Sequence, residues 1–587
     1  MEYSAILHDM DKRFCYAIDK DLFVIRVQVK KDDIKEIILH YEDKYIPLGW
    51  KDTRKTISMK KVATSQFHDY YEAQLQMHLI CLRYYFEFTD MQGEKVYYGN
   101  YEFSRECITN RDRMFDCPQN LREEEMFEVP EWAANKVVYQ IFPSRFAASQ
   151  PIDKELWYKA PITSKDNLHG DLRGIIDHLD HIQKLGIDVV YLTPIFKSDS
   201  CHKYDTTDYY QIDPSFGTTE DLKELVQKAH ECGMKVVMDA VFNHTGRDFF
   251  AFKDIQKNRE QSPYRDWYCN VNFYGNNEYN DGFSYDNWGG YNLLVKLNQW
   301  NPQVKDYIYD VIRFWVSEFD IDGIRLDAAD VLDFDFMKGM RQVANEVKPD
   351  FWLMGEVIHG EYTRWVNSET LHSVTNYNLN KALWSGCNEH NFFEIAHTVK
   401  RLYDMGGCHY RNLELYSFAD NHDVERIASK IINKDHLGVI YTLMYTLPGI
   451  PSIYYGSEFG IEGKKEQGSD ASLRPHLELS DYADAMTDNP LTALIAKLGS
   501  IHQAQKALCY GEYKELLLTN RQYAFARCYE NEDVITAVNN DEQSTTLHIP
   551  YQGPKTQFKG ALSGKDYMVQ NGSIEITLDA CGGDILI

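Results

Sequence analysis

No apolar run in these 587 residues approaches the roughly 20 that a helix needs to cross a bilayer, which excludes a helical membrane protein. The 12 cysteines are scattered and none forms a Cys-x-x-Cys pair. That pattern argues against a disulfide framework or a zinc site and suits reduced thiols. Basic residues are in deficit, 62 Lys and Arg against 89 Asp and Glu, for a net charge of −27. Such a balance argues against nucleic acid or an anionic membrane as a partner. The opening stretch Met1-Glu2-Tyr3-Ser4-Ala5-Ile6-Leu7-His8-Asp9 lacks a basic region followed by an apolar core. No secretory signal is read there, and the cytoplasm is the expected location. Internal repeats and low-complexity segments are also missing.

Aromatic residues are plentiful at 14%, including 41 Tyr. Carbohydrate-binding proteins stack aromatic faces on pyranose rings, yet core packing accounts for the same composition, and both readings stay open. The length exceeds what one core supports, so two to four domains are expected. Residues 1–122 read as an N-terminal β-sandwich, with runs such as Leu22-Phe23-Val24-Ile25-Arg26-Val27-Gln28-Val29 bounded by polar turns. Arg122-Glu123-Glu124-Glu125 reads as a solvated linker.

From 123 to 505, strand-like runs alternate with helical ones, the pattern of a parallel α/β fold. Eight strands are expected, at 137–143, 189–194, 236–239, 323–327, 351–357, 373–377, 415–420 and 450–456. The fold class is therefore α/β, a (β/α)8 TIM barrel. The polar, aromatic-rich stretch 245–298 is too long for an ordinary loop and is expected to form an inserted subdomain. Residues 506–587 return to short alternating runs and are expected to form a C-terminal β-sandwich.

Three acidic residues close three of the expected strands. Asp327 ends Asp322-Gly323-Ile324-Arg325-Leu326-Asp327, Glu356 ends Trp352-Leu353-Met354-Gly355-Glu356, and Asp423 ends Phe418-Ala419-Asp420-Asn421-His422-Asp423. Glycoside cleavage with retention needs a nucleophilic carboxylate and a second carboxyl that is acid, then base. Arg325 lies two residues before Asp327, so alternation puts both side chains on one face. A guanidinium there would favour the ionised nucleophile. Met354 and Val357 beside Glu356 suggest partial desolvation, which would hold the proton a general acid needs. Asp423 would steady the positive charge of the distorted sugar. Taken singly, each motif is as well explained by a structural ion pair or loop hydrogen bond. Their joint occurrence in order along one barrel is not.

These segments resemble the α-amylase family, glycoside hydrolase family 13. The likeness rests on Asp239, Asn243 and His244 in the first motif and Arg325 and Asp327 in the second. Glu356 carries the third, and His422 and Asp423 the fourth. Gly449-Ile450-Pro451-Ser452-Ile453-Tyr454-Tyr455-Gly456 is similar to that family's last strand, Arg474 to a substrate-binding arginine, and Tyr204 in His202-Lys203-Tyr204-Asp205 to a sugar-stacking tyrosine. Lys296-Leu297-Asn298 resembles the Met-Pro-Lys-Leu-Asn motif of the neopullulanase, cyclomaltodextrinase and maltogenic amylase group, with Val295 in place of Pro. The resemblance implies catalytic roles for Asp327, Glu356 and Asp423 and substrate contacts from Tyr204, Asp239, Asn243, His244, Arg325, His422 and Arg474. It also implies an α-glucan oligosaccharide substrate and a homodimer formed through the N-terminal domain.

The chain departs from the group in three places. Ala328-Ala329-Asp330-Val331 follows the nucleophile where the group has Val-Ala-Asn-Glu. Val357-Ile358-His359 follows the acid where the group has a central Trp. The group's calcium loop, Phe-Ala-Asn-Gly-Asp-Pro, appears as Phe146-Ala147-Ala148-Ser149-Gln150-Pro151. Calcium needs several oxygen ligands, carboxylates among them. No cofactor is therefore expected to be required, and a structural calcium is not favoured. The expected activity is retaining hydrolysis of α-1,4 bonds in maltodextrins, cyclodextrins or pullulan, with transglycosylation as a companion reaction. The alternatives are an α-1,6-acting oligosaccharide glucosidase, a glucanotransferase and a non-catalytic glucan-binding protein.

Overall fold

Eight short runs of mostly β-branched and aromatic residues, buried on both faces, pair in parallel at the centre of the molecule. They are Val138–Ile141 (β1), Val189–Leu192 (β2), Lys235–Ala240 (β3), Gly323–Leu326 (β4), Trp352–Gly355 (β5), Ser373–Val374 (β6), Tyr416–Phe418 (β7) and Ile450–Tyr454 (β8). Each of β1 to β5 pairs with the next, β7 pairs with β8, and β8 returns to β1. A single parallel bridge, Thr375 to Tyr416, joins β6 to β7 and closes the barrel. The computed structural model describes all residues except 11–13, 20–21, 44–53, 77–81, 117–128, 135, 152, 158–165, 167, 404–412, 468 and 531. The acidic segment 122–125, read as a linker, lies outside the described residues.

The chain divides into two compact units, Met1–Glu128 with His397–Leu413 and Val129–Ala396 with Glu414–Ile587. In the first, two antiparallel sheets enclose a core of alternating residues. Phe23, Ile25, Val27 and Val29 of one strand belong to it, with Ile37, Leu39, Phe86 and Phe88 of others. The second unit holds the barrel and, after it, two four-stranded antiparallel sheets. Strand structure there begins at Glu512 and not at 506. Lys506–Tyr510 is a short helix that buries Ala507, Leu508 and Cys509, three consecutive residues that alternation along a strand would have split between two faces.

Local signals explain the helices that flank β3 and β4. The helix Thr219–Glu231 opens on a capping box between Thr218 and Asp221 and buries Leu222, Leu225, Val226 and Ala229 along one stripe. Pro302–Phe319 starts with Pro after the N-cap Asn301 and buries Ile308, Val311, Ile312, Trp315 and Phe319. Each such side chain contributes about 1.5–3 kcal/mol. Between them, residues 245–298 form the inserted subdomain, with the helix Phe250–Asn258 and a small sheet in which Tyr291–Lys296 pairs with His244–Thr245. That pairing ties the insertion to the chain leaving β3.

Asp322, just before β4, marks the opposite end of the barrel from the acidic strand ends. It is 1% exposed and accepts from His230 Nε2 at 2.6 Å, Lys235 Nζ and Lys348 Nζ at 2.9 Å, and Val236 N–H at 3.0 Å. Burial by itself would raise its pKa. The donors, His230 foremost, outweigh that and hold the carboxyl well below the usual range. A depressed pKa adds stability that is present above the unfolded value of about 3.9 and lost as pH falls below it. Asp322→Asn is expected to cost about 3–5 kcal/mol at neutral pH, with the difference shrinking below about pH 4. Thermal unfolding of both proteins across that range checks the sign and the window.

Candidate active site

Every acidic strand-end residue singled out in the sequence emerges at the C-terminal end of the barrel, where the loops of a TIM barrel build active sites. Asp239 on β3 and Arg325 on β4 are direct register partners. Arg325 Nη1 donates to Asp239 Oδ1 at 3.1 Å and Oδ2 at 3.2 Å, and to Asp327 Oδ1 at 2.8 Å. Its Nη2 lies 2.8 Å from Glu356 Oε2. One guanidinium therefore holds three carboxylates. Burial opposes the charge on Arg325, but Asp239 and Glu356 overcome that and keep its pKa well above the ordinary value.

Three carboxylates around one cation leave an excess of buried negative charge. Burial pushes the Asp327 pKa well above the carboxylate range, with Arg325 opposing and Glu356 and Asp239 adding to the rise. Burial likewise raises Asp239. The apolar setting expected for Glu356 does not surround its carboxylate. Met354 packs into the barrel core, while the carboxylate meets Arg325, the Ala328 N–H at 3.1 Å and the Tyr377 hydroxyl at 3.2 Å. Polar donors converge there because Ala328 takes a left-handed conformation, φ 47° and ψ 44°, which turns the chain directly after Asp327. Strain of that kind concentrates at functional sites.

Asp423, one-third exposed, receives Arg474 Nη2 on Oδ1 at 3.0 Å and lies 3.1 Å from His422 Nε2. Arg474 also donates from Nε to the His422 carbonyl at 2.9 Å. His422 is fully enclosed, with Gln140 Nε2 at 2.9 Å from Nδ1 and the Tyr204 hydroxyl at 2.6 Å from Nε2. Burial, helped by the charges of Arg474 and Arg325, holds its pKa well below the ordinary value, so the ring is neutral. The Gln140 amide donating to Nδ1 assigns the proton to Nε2. Tyr204 lies parallel to that imidazole, ring centres 5.6 Å apart, and gives its own proton to Asp239 Oδ2 at 2.9 Å.

Asp239 and Asn243 are 2% and 1% exposed and lie beneath the site. The Asp239 carboxylate is taken up by Arg325, Tyr204 and the Tyr191 hydroxyl at 2.8 Å. These bonds fix Arg325 and Tyr204 relative to Asp239. Asn243 Nδ2 is 3.2 Å from His244 Nδ1, and His244 Nε2 reaches the Tyr204 carbonyl at 3.0 Å. Burial pushes His244 down to about 4. Four supporting residues escaped the sequence reading: Gln140, Tyr191, Tyr377 and Asn421, which bonds Tyr377 at 3.3 Å. Gln140 and Tyr191 stand inside strand runs where alternation aims side chains at the barrel axis, and that was the available signal. Tyr377, just past the short β6, had none.

At the loop 146–151, Ser149 N–H and hydroxyl donate to the Asp171 carboxylate, the hydroxyl at 2.8 Å. Asp171 also caps the helix Leu172–Asp177. Among the described residues no group of three or more His, Cys, Asp or Glu converges as metal ligands do. The Asp171 carboxylate thus ties this loop to the start of that helix.

The family model for the alpha amylase catalytic domain matches residues 140–490, and those for the N-terminal ig-like and C-terminal domains match 1–119 and 511–586. The chain belongs to the α-amylase family. It is 34% identical over 563 residues to a cyclomaltodextrinase of Bacillus sp, covering 93% of this chain and 97% of that one. It is 33% identical to an intracellular maltogenic amylase of Bacillus subtilis over 79% of both chains. A solved cyclomaltodextrinase structure superposes with a TM-score of 0.88 at 31% identity over the full length of both. This α-amylase family member is a glycoside hydrolase, and no described helix is long and apolar enough to cross a membrane.

A carboxylate that attacks must be ionised, and Asp327, the carboxyl proposed below for that role, has its pKa raised by burial, so activity is expected to be lost as pH falls through that raised value. The acid limb of kcat/KM is expected well above the ordinary aspartate value of about 4. A pH–rate profile of the free enzyme that stays flat down to that value overturns the assignment of the raised carboxyl to the site.

Proposed function

We propose that the protein hydrolyses α-1,4-glucosidic bonds of cyclodextrins, maltodextrins or pullulan by double displacement with retention, with transglycosylation as a side reaction. One observation carries this reading: Arg325 holds the carboxylates of Asp327 and Glu356 side by side on one guanidinium. Retention requires the two carboxyls to be close, about 5–5.5 Å, whereas inversion leaves room for a water between them. Likeness over the full length to cyclomaltodextrinases supports the substrate class.

In the proposed reaction Asp327 attacks the anomeric carbon. Its Oδ1 is held by Arg325 and its Oδ2 carries no hydrogen bond among the described residues, which makes Oδ2 the attacking atom. Glu356 protonates the departing oxygen and then, as carboxylate, takes the proton of the water that opens the glycosyl ester. Asp423, held by Arg474, faces the positive charge that develops on the ring. His422 and His244, both kept neutral, hold Tyr204 from its hydroxyl and its carbonyl without adding charge. No step uses a metal. The reading also places the protein in the cytoplasm, supported by free thiols at all nine described cysteines and by the intracellular relative. A homodimer through residues 1–122 follows from the resemblance to the maltogenic amylase group.

Asp327→Asn is expected to lower turnover on β-cyclodextrin by on the order of 10³ or more while oligosaccharide binding persists. Proton NMR of the wild-type reaction should show the α anomer first, and a β anomer first means an inverting site. Activity and light scattering measured before and after EDTA test the two remaining expectations together. Full activity with a dimer mass in both states is the expected result. Loss of activity restored by calcium reveals a metal site, and a monomer mass removes the dimer.

A further inference from the structure

Gln140, on β1, is 2% exposed in the barrel interior, where a polar side chain is tolerated only with a partner. Its amide Nε2 stands 2.9 Å from Nδ1 of His422. Among the described residues no other group lies within hydrogen-bond distance of that ring nitrogen. The opposite edge of the ring fixes where its proton sits. His422 Nε2 lies 2.6 Å from the Tyr204 hydroxyl, which spends its own proton on Asp239, and 3.1 Å from Asp423 Oδ2. Both oxygens accept. A proton on Nε2 serves them, whereas a bare Nε2 would set a lone pair against a carboxylate oxygen. Nδ1 is then the acceptor and needs a donor that keeps its proton at every working pH. An amide N–H meets that need, and an ionised glutamate of the same length does not, because it only accepts.

The groups that face the ring keep it uncharged as the protein stands. Burial disfavours the imidazolium most, and Arg474 from the loop after β8, Arg325 from β4 and His202 from the loop after β2 add to that. Glu356, at the end of β5, acts the other way. Asp423 flanks Nε2, and the Phe142 ring lies past β1 with its centre 6.5 Å from that of the imidazole. A carboxyl in place of the Gln140 amide changes the proton count. With one extra proton shared between carboxyl and ring, the pair is neutral and Nε2 keeps its N–H. Once that proton leaves, the carboxylate draws the remaining ring proton to Nδ1. Nε2 then faces Tyr204 and Asp423 with nothing to donate.

We infer that Gln140 is a positioning residue whose amide keeps the His422 proton on Nε2 and so holds Tyr204 and Asp423 in place for the reaction. The inference rests on the proposed glucan hydrolysis. It is tested by kcat/KM on β-cyclodextrin between pH 5 and pH 8 for the parent, Gln140→Glu and Gln140→Met, each shown by circular dichroism to be folded at both ends of the range. Gln140→Met has a side chain of similar length without a donor and is expected about tenfold below the parent at every pH. Gln140→Glu is expected within about threefold of the parent at pH 5, and its ratio to the parent is expected to fall at least about tenfold by pH 8. The ratio removes the acid limb that both proteins share. A packing defect alone lowers activity by a constant factor, so a Gln140→Glu ratio that stays flat or rises with pH overturns the inference. Gln140→Met at parental activity overturns it as well, and either variant decides where the other does not fold. A parent that cleaves neither β-cyclodextrin nor maltoheptaose removes the glucan reading, and this role with it.

Discussion

The guanidinium of Arg325 is the centre on which the rest of the site depends. It is buried, it stands in register with Asp239 on the neighbouring strand, and it is shared by Asp239, Asp327 and Glu356. A buried carboxylate is tolerated only when paired, and removing one partner of such a group leaves uncompensated charge. Without the cation, three acids could not be crowded onto adjacent strand ends. With it, two of them stand together, and burial, with Glu356 and Asp239 adding, raises the Asp327 pKa against the opposing charge of Arg325.

Around this centre the protein spends neutral groups, not further charge. Tyr191 and Tyr204 give hydroxyl protons to Asp239, Tyr377 gives one to Glu356, and His422 and His244 are kept uncharged by burial. The two imidazoles are fixed in orientation because both ring nitrogens of each are engaged. A substrate hydroxyl therefore meets a preorganised surface that does not reorient during the reaction, the condition under which fixed dipoles stabilise a transition state best. The one-residue left-handed turn at Ala328 belongs to this arrangement, since it presents a backbone N–H to Glu356.

The strand Tyr291–Lys296 of the inserted subdomain is paired to His244. The loop that makes the turn at Ala328 bonds the Glu356 carbonyl through the Asp330 N–H, so both segments are anchored to residues of the site.

The order of the strands, the placement of the acidic residues at their ends, and the pairing of Arg325 with Asp327 were legible in the chain, because period-two alternation and strand-end position are local properties. So were the inserted stretch 245–298 and the loss of acidic ligands at 146–151. What the sequence could not determine is which partners come from other strands. Glu356 was expected in apolar surroundings on the basis of Met354 and Val357, yet its environment is decided by Arg325, Ala328 and Tyr377, two of them from different strands of the barrel. Asp239 was read from its motif alone, and only barrel closure places two tyrosines and an arginine around its carboxylate. Local spacing specifies which face a side chain takes. The charge it carries and the atom it meets depend on groups tens to hundreds of residues away, and those are brought together only when the barrel closes.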